Sequence, residues 1–286
     1  MQFNLSFYKY HGCGNDFIII DELNSNEISE MQRGEIARVL CKRKYGIGAD
    51  DVLYLTPSNK ADCMMRIFEP DGSEADMCGN GLRCVAALLA SKFGRDPVTI
   101  ETVAGTKLVQ KTGELYRVDM GELKTAISEI SKFLHINARN NTKFLDRKIF
   151  VKSLGEIEVS IVSVGEPHVL VFVNDAEKED LFSYAEGIAK NKELFPYGIN
   201  VDLVQVLNAS TIQMRTYERG VWDETMACGT GATAAAAVCY ITGRVKNARI
   251  KVITRGGELT SEIIGGSLFL IGPATRVYSG HVCLKL

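Results

Sequence analysis

The chain has 286 residues, 46% apolar and 24% charged, with a net charge of −2 and a pI of about 6.1. That length favours two domains over one core, and without a basic excess to neutralise phosphates a nucleic-acid partner is excluded. The longest apolar run, 232–241, falls short of a membrane span of roughly 20 residues, and residues 1–9 lack a signal-peptide pattern, so a cytoplasmic protein with no membrane partner is expected.

Taken in order, 7–10 and 17–21 read as strands joined by a glycine-rich turn at 12–16. Apolar residues at helical spacing over 27–43 predict a helix, with Ser25 or Ser29 as its cap. Residues 52–55 and 63–68 read as strands, and 82–93 is apolar nearly all round, which predicts a buried helix ending at Gly94. Short strands follow at 98–102, 106–110 and 115–120, then a mixed, polar stretch over 121–148. Residues 156–164 alternate like a half-buried strand, and a turn at 165–168 leads into a strand at 169–173. A helix at 181–190, strands at 199–206 and 211–217, and a second all-apolar helix at 232–242 complete the pattern, with strands to the end and a late turn at 272–274.

Two stretches stand out. Cys78 precedes Gly79-Asn-Gly81 and an apolar run; Cys228 precedes Gly229-Thr-Gly231 and an even more apolar one. The two cysteines are 150 residues apart, and other landmarks recur at nearly that offset: Gly14 with Gly165, Arg66 with Arg215, Glu69 with Glu218. Such a repeat predicts two copies of one unit. A thiol at a helix N-terminus has its pKa lowered, and glycines there let backbone N–H groups approach a carboxylate. One such thiol on each face of a bound amino acid could invert its α-carbon, one removing the proton and the other returning it. The nests would stabilise the charge that builds on the carboxylate.

Other readings are weaker. Gly229-Thr-Gly-Ala-Thr-Ala234 fits a dinucleotide fingerprint, but neither a hydrophobic strand before it nor a ribose-binding acid about 20 residues on supports it. No Cys-x-x-Cys pair occurs and the four histidines are scattered, so no metal site is expected. Cys41, Cys63, Cys84, Cys239 and Cys283 read as small buried hydrophobes, while Cys13 in its glycine-rich turn is left open.

The motifs His11-Gly-x-Gly-Asn-Asp-Phe17, Gly46-Ile-Gly-Ala-Asp50, Asp71-Gly-Ser-Glu74 with Cys78-Gly-Asn-Gly-x-Arg-Cys84, Gly165-x-Pro-His168, Tyr217-Glu-Arg-Gly220, Glu224-Thr-x-Ala-Cys-Gly-Thr-Gly231 and Gly272-Pro-Ala274 run nearly end to end. On them the chain resembles the diaminopimelate epimerase family, cofactor-independent enzymes that interconvert LL- and meso-diaminopimelate on the way to lysine and cell-wall peptide. The resemblance implies an α/β (α+β) fold of two pseudo-symmetric domains, each a barrel-like mixed sheet around a central buried helix, at 1–124 plus 272–286 and at 125–271. It implies Cys78 and Cys228 as the acid/base pair, and Gly79, Asn80, Gly229 and Thr230 on the reacting carboxylate. Asn15, Asn200, Glu218 and Arg219 would contact substrate, Arg219 at the distal carboxylate. No cofactor and no metal are implied, and a homodimer is a candidate assembly.

Three positions depart from the family pattern: Glu69 and Glu166 stand where Asn is common, and Asp51 where Gln or Gly is usual. If they line the pocket, its distal end is more negative and a cationic tail is favoured; alternatively the acids point away or pair with Arg66 and Arg215. The leading expectation is therefore diaminopimelate epimerisation. The alternative is racemisation of a basic amino acid such as histidine, lysine or ornithine. A binding module that kept only the scaffold is disfavoured by the two retained thiols.

Overall fold

The computed structural model describes residues 2–25, 28–135 and 142–286. They form two compact units, Met1–Asp119 with Gly272–Leu286, and Met120–Ile271. The expected helix start at position 27 and positions 136–141 of the polar stretch lie outside the described residues.

In the first unit, β1 (Gln2–Gly12) turns into β2 (Asn15–Asp21) through Cys13 and Gly14, both at positive φ. Helix α1 (Glu30–Leu40) follows Ser29, whose N–H is accepted by the Gln32 side chain at 3.0 Å, an N-terminal cap. Next come β3 (Asp51–Thr56), β4 (Cys63–Phe68) and the two-residue β5 (Glu74–Ala75), which leads into α2 (Gly79–Phe93). Gly94 ends α2 in the left-handed conformation, as its position predicts. The strands β6 (Val98–Thr102), β7 (Gly105–Thr112) and β8 (Leu115–Glu122) close this half of the chain.

The second unit repeats the plan. A short α3 (Ile127–Ile130) precedes β9 (Arg147–Val151), β10 (Gly155–Val164) and β11 (Glu166–Phe172), then α4 (Leu181–Ile188), β12 (Asn200–Asn208), β13 (Thr211–Glu218) and the short β14 (Asp223–Thr225). Helix α5 (Gly229–Ile241) is followed by β15 (Arg249–Thr254), β16 (Gly257–Ile264) and β17 (Ser267–Gly272). The last strand, β18 (Thr275–Lys285), pairs antiparallel with β1 and so belongs to the first unit.

The registers make the repeat exact in residue terms. β2 and β3 are parallel with Phe17 opposite Asp51; β11 and β12 are parallel with His168 opposite Asn200. Leu53 faces Ile67 across β3 and β4, as Asp202 faces Thr216 across β12 and β13. Each unit therefore wraps mixed sheet around one helix. Strands β1, β2, β6, β7 and β18 pack on α2, and β10, β11, β12, β13, β15 and β16 pack on α5. A helix touched on all sides has no polar face to offer. Thus 80–89 and 229–239 are buried throughout, and the alanine run 234–237 lets strands approach closely.

Three expectations need correction. The two central helices begin three residues earlier than their apolar runs suggest, because the Gly-x-Gly segments are themselves the first helical turns. The turn expected over 165–168 is tighter: Glu166 already opens β11, with only Gly165 at positive φ. Cys283 is exposed, its sulfur accepting from the Gln2 side-chain amide at 3.1 Å, because β18 turns that face to solvent.

Candidate active site

The candidate site of the first unit is built on the N-terminus of α2. Cys78 is the N-cap, in extended conformation, and its Sγ accepts the Gly81 N–H at 3.4 Å. Asn15, at the start of β2, places its side-chain oxygen 3.7 Å from the Cys78 sulfur and accepts from the Asn80 amide at 3.1 Å. The Asn15 amide nitrogen donates to Asp50 at 2.8 Å. Asn15, Gly79 and Asn80 are therefore gathered around one thiol, and the N–H groups of a first helical turn point to where an anion would sit.

The second unit repeats the cap with different surroundings. Cys228 is the N-cap of α5 and is 4% exposed. Its sulfur lies 3.4 Å from the Thr230 hydroxyl, which lies 3.0 Å from His168 Nε2. His168 Nδ1 is 2.7 Å from Asp202, whose other oxygen accepts the Thr216 hydroxyl at 2.7 Å. A carboxylate only accepts, so the imidazole carries its proton on Nδ1, and Nε2 faces the threonine. His168, Asp202, Thr216 and Thr230 are all buried. The matching positions in the first unit are Phe17, Leu53, Ile67 and Asn80, so this polar chain exists in one half only.

Gly231 shows how closely α5 sits on that chain: a β-carbon there would meet Asp202 at 2.9 Å and His168 at 3.2 Å. That contact explains the second glycine of the motif. The expected lowering of the thiol pKa does not hold for Cys228. Burial pushes it well above its ordinary value, Glu218 and Asp202 push it further, and the Thr230 hydroxyl opposes them. Desolvation of the thiolate outweighs the helix terminus here.

A third cluster lies on the second unit. Asn200 accepts the Arg219 N–H at 2.8 Å and donates its amide to the Pro167 carbonyl at 2.8 Å. It thereby ties together the two segments whose side chains, Glu166 and Arg219, form an ion pair. Glu218 accepts from Thr225 at 2.7 Å. Glu69 accepts the Ser73 hydroxyl at 2.8 Å within the turn before Cys78, and Asp51 opens β3 opposite Phe17.

Of the three acids, Glu166 pairs with Arg219 rather than with Arg66 or Arg215. Arg66 pairs with Glu74 and Glu30, and Arg215 forms a two-pronged pair with Glu224 at 2.7 and 2.8 Å. Glu74 and Glu224 sit on β5 and β14, the short strands that lead into the two cysteines, so each arginine pins one cysteine loop.

Sequence reasoning missed Asp202 and Thr216, and saw Asp50 and His168 only as parts of motifs. Asp202 did carry a signal, a lone acid between Val201 and Leu203 in a buried strand. Among the described residues, no group of three or more His, Cys, Asp or Glu is placed to hold a metal ion.

The model of the family described as "Diaminopimelate epimerase" matches residues 7–126 and 160–277. The chain belongs to the diaminopimelate epimerase family. A relative of that name from Methanothrix thermoacetophila is 43% identical, covering 97% of this chain and 96% of its own. Another, from Archaeoglobus fulgidus, is 36% identical over 98% of this chain and 97% of its own.

Solved structures share the two-domain fold. A hydroxyproline epimerase from Agrobacterium vitis aligns with a TM-score of 0.66 and 19% identity, covering 99% of this chain and 92% of its own. A PhzF-family phenazine biosynthesis protein from Bacillus anthracis aligns with a TM-score of 0.67 and 18% identity, covering 98% and 99%. No helix among the described residues is long and apolar enough to cross a membrane.

Proposed function

We propose that this protein is an isomerase that interconverts LL- and meso-diaminopimelate by two-base proton transfer, with Cys78 and Cys228 as acid and base. The observation that carries the reading is the pair of N-cap thiols, each followed by Gly-x-Gly at equivalent positions of a repeated unit. Relatives named diaminopimelate epimerase, matching nearly the whole chain, support the substrate. They do not favour the alternative of a basic amino-acid racemase.

The α-proton of an amino acid is weakly acidic, and its removal leaves charge that delocalises into the α-carboxylate. Backbone N–H groups of the helix first turns, joined by Asn80 and Thr230, would meet that charge where it grows. A thiolate takes the proton from one face, and the second cysteine, as a thiol, returns one to the other. Protons balance: the first cysteine ends protonated, the second deprotonated, and the roles exchange for the reverse reaction. Thr230 is placed to serve Cys228 in either form, since a hydroxyl can accept from S–H or donate to S⁻. Asn200 and Arg219, the latter paired with Glu166, would hold the non-reacting end, and Asn15, Asp51, Glu69 and Glu218 the remaining polar groups of the ligand. Every acid and base in this scheme belongs to the chain, so no cofactor is assigned.

A cytoplasmic location fits substrate and thiols alike. A homodimer is also proposed, because Val277 and Tyr278 on β18 are 54% and 44% exposed and offer apolar surface to a second copy.

The test is to incubate the protein with LL-diaminopimelate in D₂O and follow stereoisomer ratio and α-deuteration. We expect both to proceed in the parent. C78A and C228A should each lose inversion by at least about 10²–10⁴-fold, the size of a positioned acid/base contribution. Inversion by either variant at the parent's rate would remove the two-thiol mechanism. Turnover of lysine with none of diaminopimelate would remove the substrate.

A further inference from the structure

We infer that Asp50 is a positioning residue that fixes the direction of the Asn15 amide and thereby holds Cys78 in its thiol form. Asp50 lies just before β3, and among the described residues its carboxylate is met by donors. Arg43 reaches Oδ1 at 2.7 Å, while the Asp16 N–H and the Asn15 side-chain amide reach Oδ2 at 3.0 and 2.8 Å. An ionised carboxylate accepts and never donates. The Asn15 NH₂ must therefore face Asp50, and the Asn15 carbonyl oxygen must face the other way.

On that other side are the Asn80 amide at 3.1 Å and the Cys78 sulfur at 3.7 Å. An amide oxygen has no proton to give, so toward it Cys78 is the donor, which is the thiol. Were the amide reversed, its NH₂ would point at sulfur and stabilise the thiolate instead. The choice between these states is made one residue away, by a carboxylate that acts on the sulfur through Asn15.

The carboxylate is itself locked. Asp16 on β2 forms ion pairs with Arg43 at 2.8 Å and with Lys9 of β1 at 2.5 Å, and the Asp50 N–H returns a hydrogen bond to Asp16 at 3.1 Å. Arg83, on its own helix, acts electrostatically on Cys78, and the charged groups joined to Asp50 are Arg43 in the segment before β3, Asp16 on β2 and, through Asp16, Lys9 on β1. The Gly81 N–H at 3.4 Å works in the opposite sense, favouring the thiolate. Asn15 therefore acts as the counterweight to the helix terminus.

The assignment is specific to this half. In the second unit the Cys228 sulfur instead faces the hydroxyl of Thr230, from its own helix, which adapts to either protonation state. Cys78 is the thiol whose state is biased by a group of fixed direction.

The experiment needs no substrate, so its failure is distinct from a failure of the proposed function. The rate of Cys78 alkylation by iodoacetamide is followed against pH by peptide mass spectrometry in the full-length protein. D50A leaves the Asn15 NH₂ without its acceptor, and the alkylation midpoint of Cys78 should fall by about one pH unit, the size of one hydrogen bond to the charged form. D50N keeps a carbonyl oxygen in the same place and should stay with the parent. N15L, which removes the acceptor itself, should shift in the same direction as D50A. An unchanged profile in folded D50A overturns the inference. An equal shift in D50N overturns it too, since the cause would then be lost charge rather than amide direction. If D50A does not fold, an unchanged profile in N15L overturns it in the same way.

Discussion

The Thr230 hydroxyl stands between Cys228 and His168, 3.4 Å from the sulfur and 3.0 Å from Nε2. Three groups that can each pass a proton are thus joined in a line that ends on Asp202, buried at 0% exposure. With the imidazole neutral, the line runs from thiol through hydroxyl to Nε2. A hydroxyl can accept from S–H or donate to S⁻, so Thr230 fits Cys228 in either form, while burial pushes the Cys228 pKa up.

T230V cuts that line without removing bulk. We expect kcat to fall about 10²-fold, with T230S largely restored and the pH–rate profile of T230V displaced from that of the parent. Steady-state kinetics across pH, in both reaction directions, check this. The first unit supplies a control, because it packs Phe17, Leu53 and Ile67 at the same positions. The triple variant H168F/D202L/T216I copies that apolar packing. It should fold with stability equal to the parent or up to about 1–4 kcal/mol higher, since replacing a buried polar pair with hydrophobes is often stabilising, yet lose activity. H168F alone strands the Asp202 carboxylate and should cost about 3–5 kcal/mol. Denaturant unfolding separates the two.

The Glu166–Arg219 ion pair bears on substrate grip. The two side chains are 34% and 26% exposed. A ligand carboxylate that uses Arg219 must compete with Glu166 for it. Replacing Glu166 by the family's usual asparagine should lower KM for LL-diaminopimelate by up to about fivefold, the worth of a partly exposed pair. L-lysine and L-ornithine should lose whatever slow turnover the parent shows. A rise in KM for diaminopimelate in E166N would mean that Glu166 serves the ligand directly instead of competing with it.

The Arg215–Glu224 pair sets an acid limit on the second cysteine loop. Hydrogen bonds from Arg215 hold the Glu224 carboxyl below its ordinary value of 4.5; burial opposes this and Arg255 adds to it. A carboxyl with a lowered folded-state pKa stabilises the fold fully above the unfolded value, and the contribution disappears as pH falls through the folded value. E224Q should therefore be less stable than the parent by about 1–2 kcal/mol at neutral pH. The difference should close as the pH drops below about 4.5. Guanidinium unfolding at pH 7 and at pH 3 measures both ends.

Much of this protein was determined by local sequence. The repeat, the two buried helices and their thiol caps follow from Cys-Gly-x-Gly followed by apolar residues, because a glycine-rich first turn and an all-apolar helix are short-range properties. Gly94 and the strand alternation are readable for the same reason. The tertiary structure decided what local pattern cannot carry. His168 and Thr230 are 62 residues apart, and Asn15 and Asp50 are 35 apart, yet each pair is hydrogen-bonded. Packing of α5 on β11 brings the first pair together, and parallel pairing of β2 with β3 the second; no spacing rule specifies either. The same holds for the protonation of Cys228, where sequence speaks only of a helix terminus while burial, a long-range property, outweighs it. It holds again for Glu166, whose partner proved to be Arg219 rather than Arg66 or Arg215, because charge pairing depends on which strand ends meet.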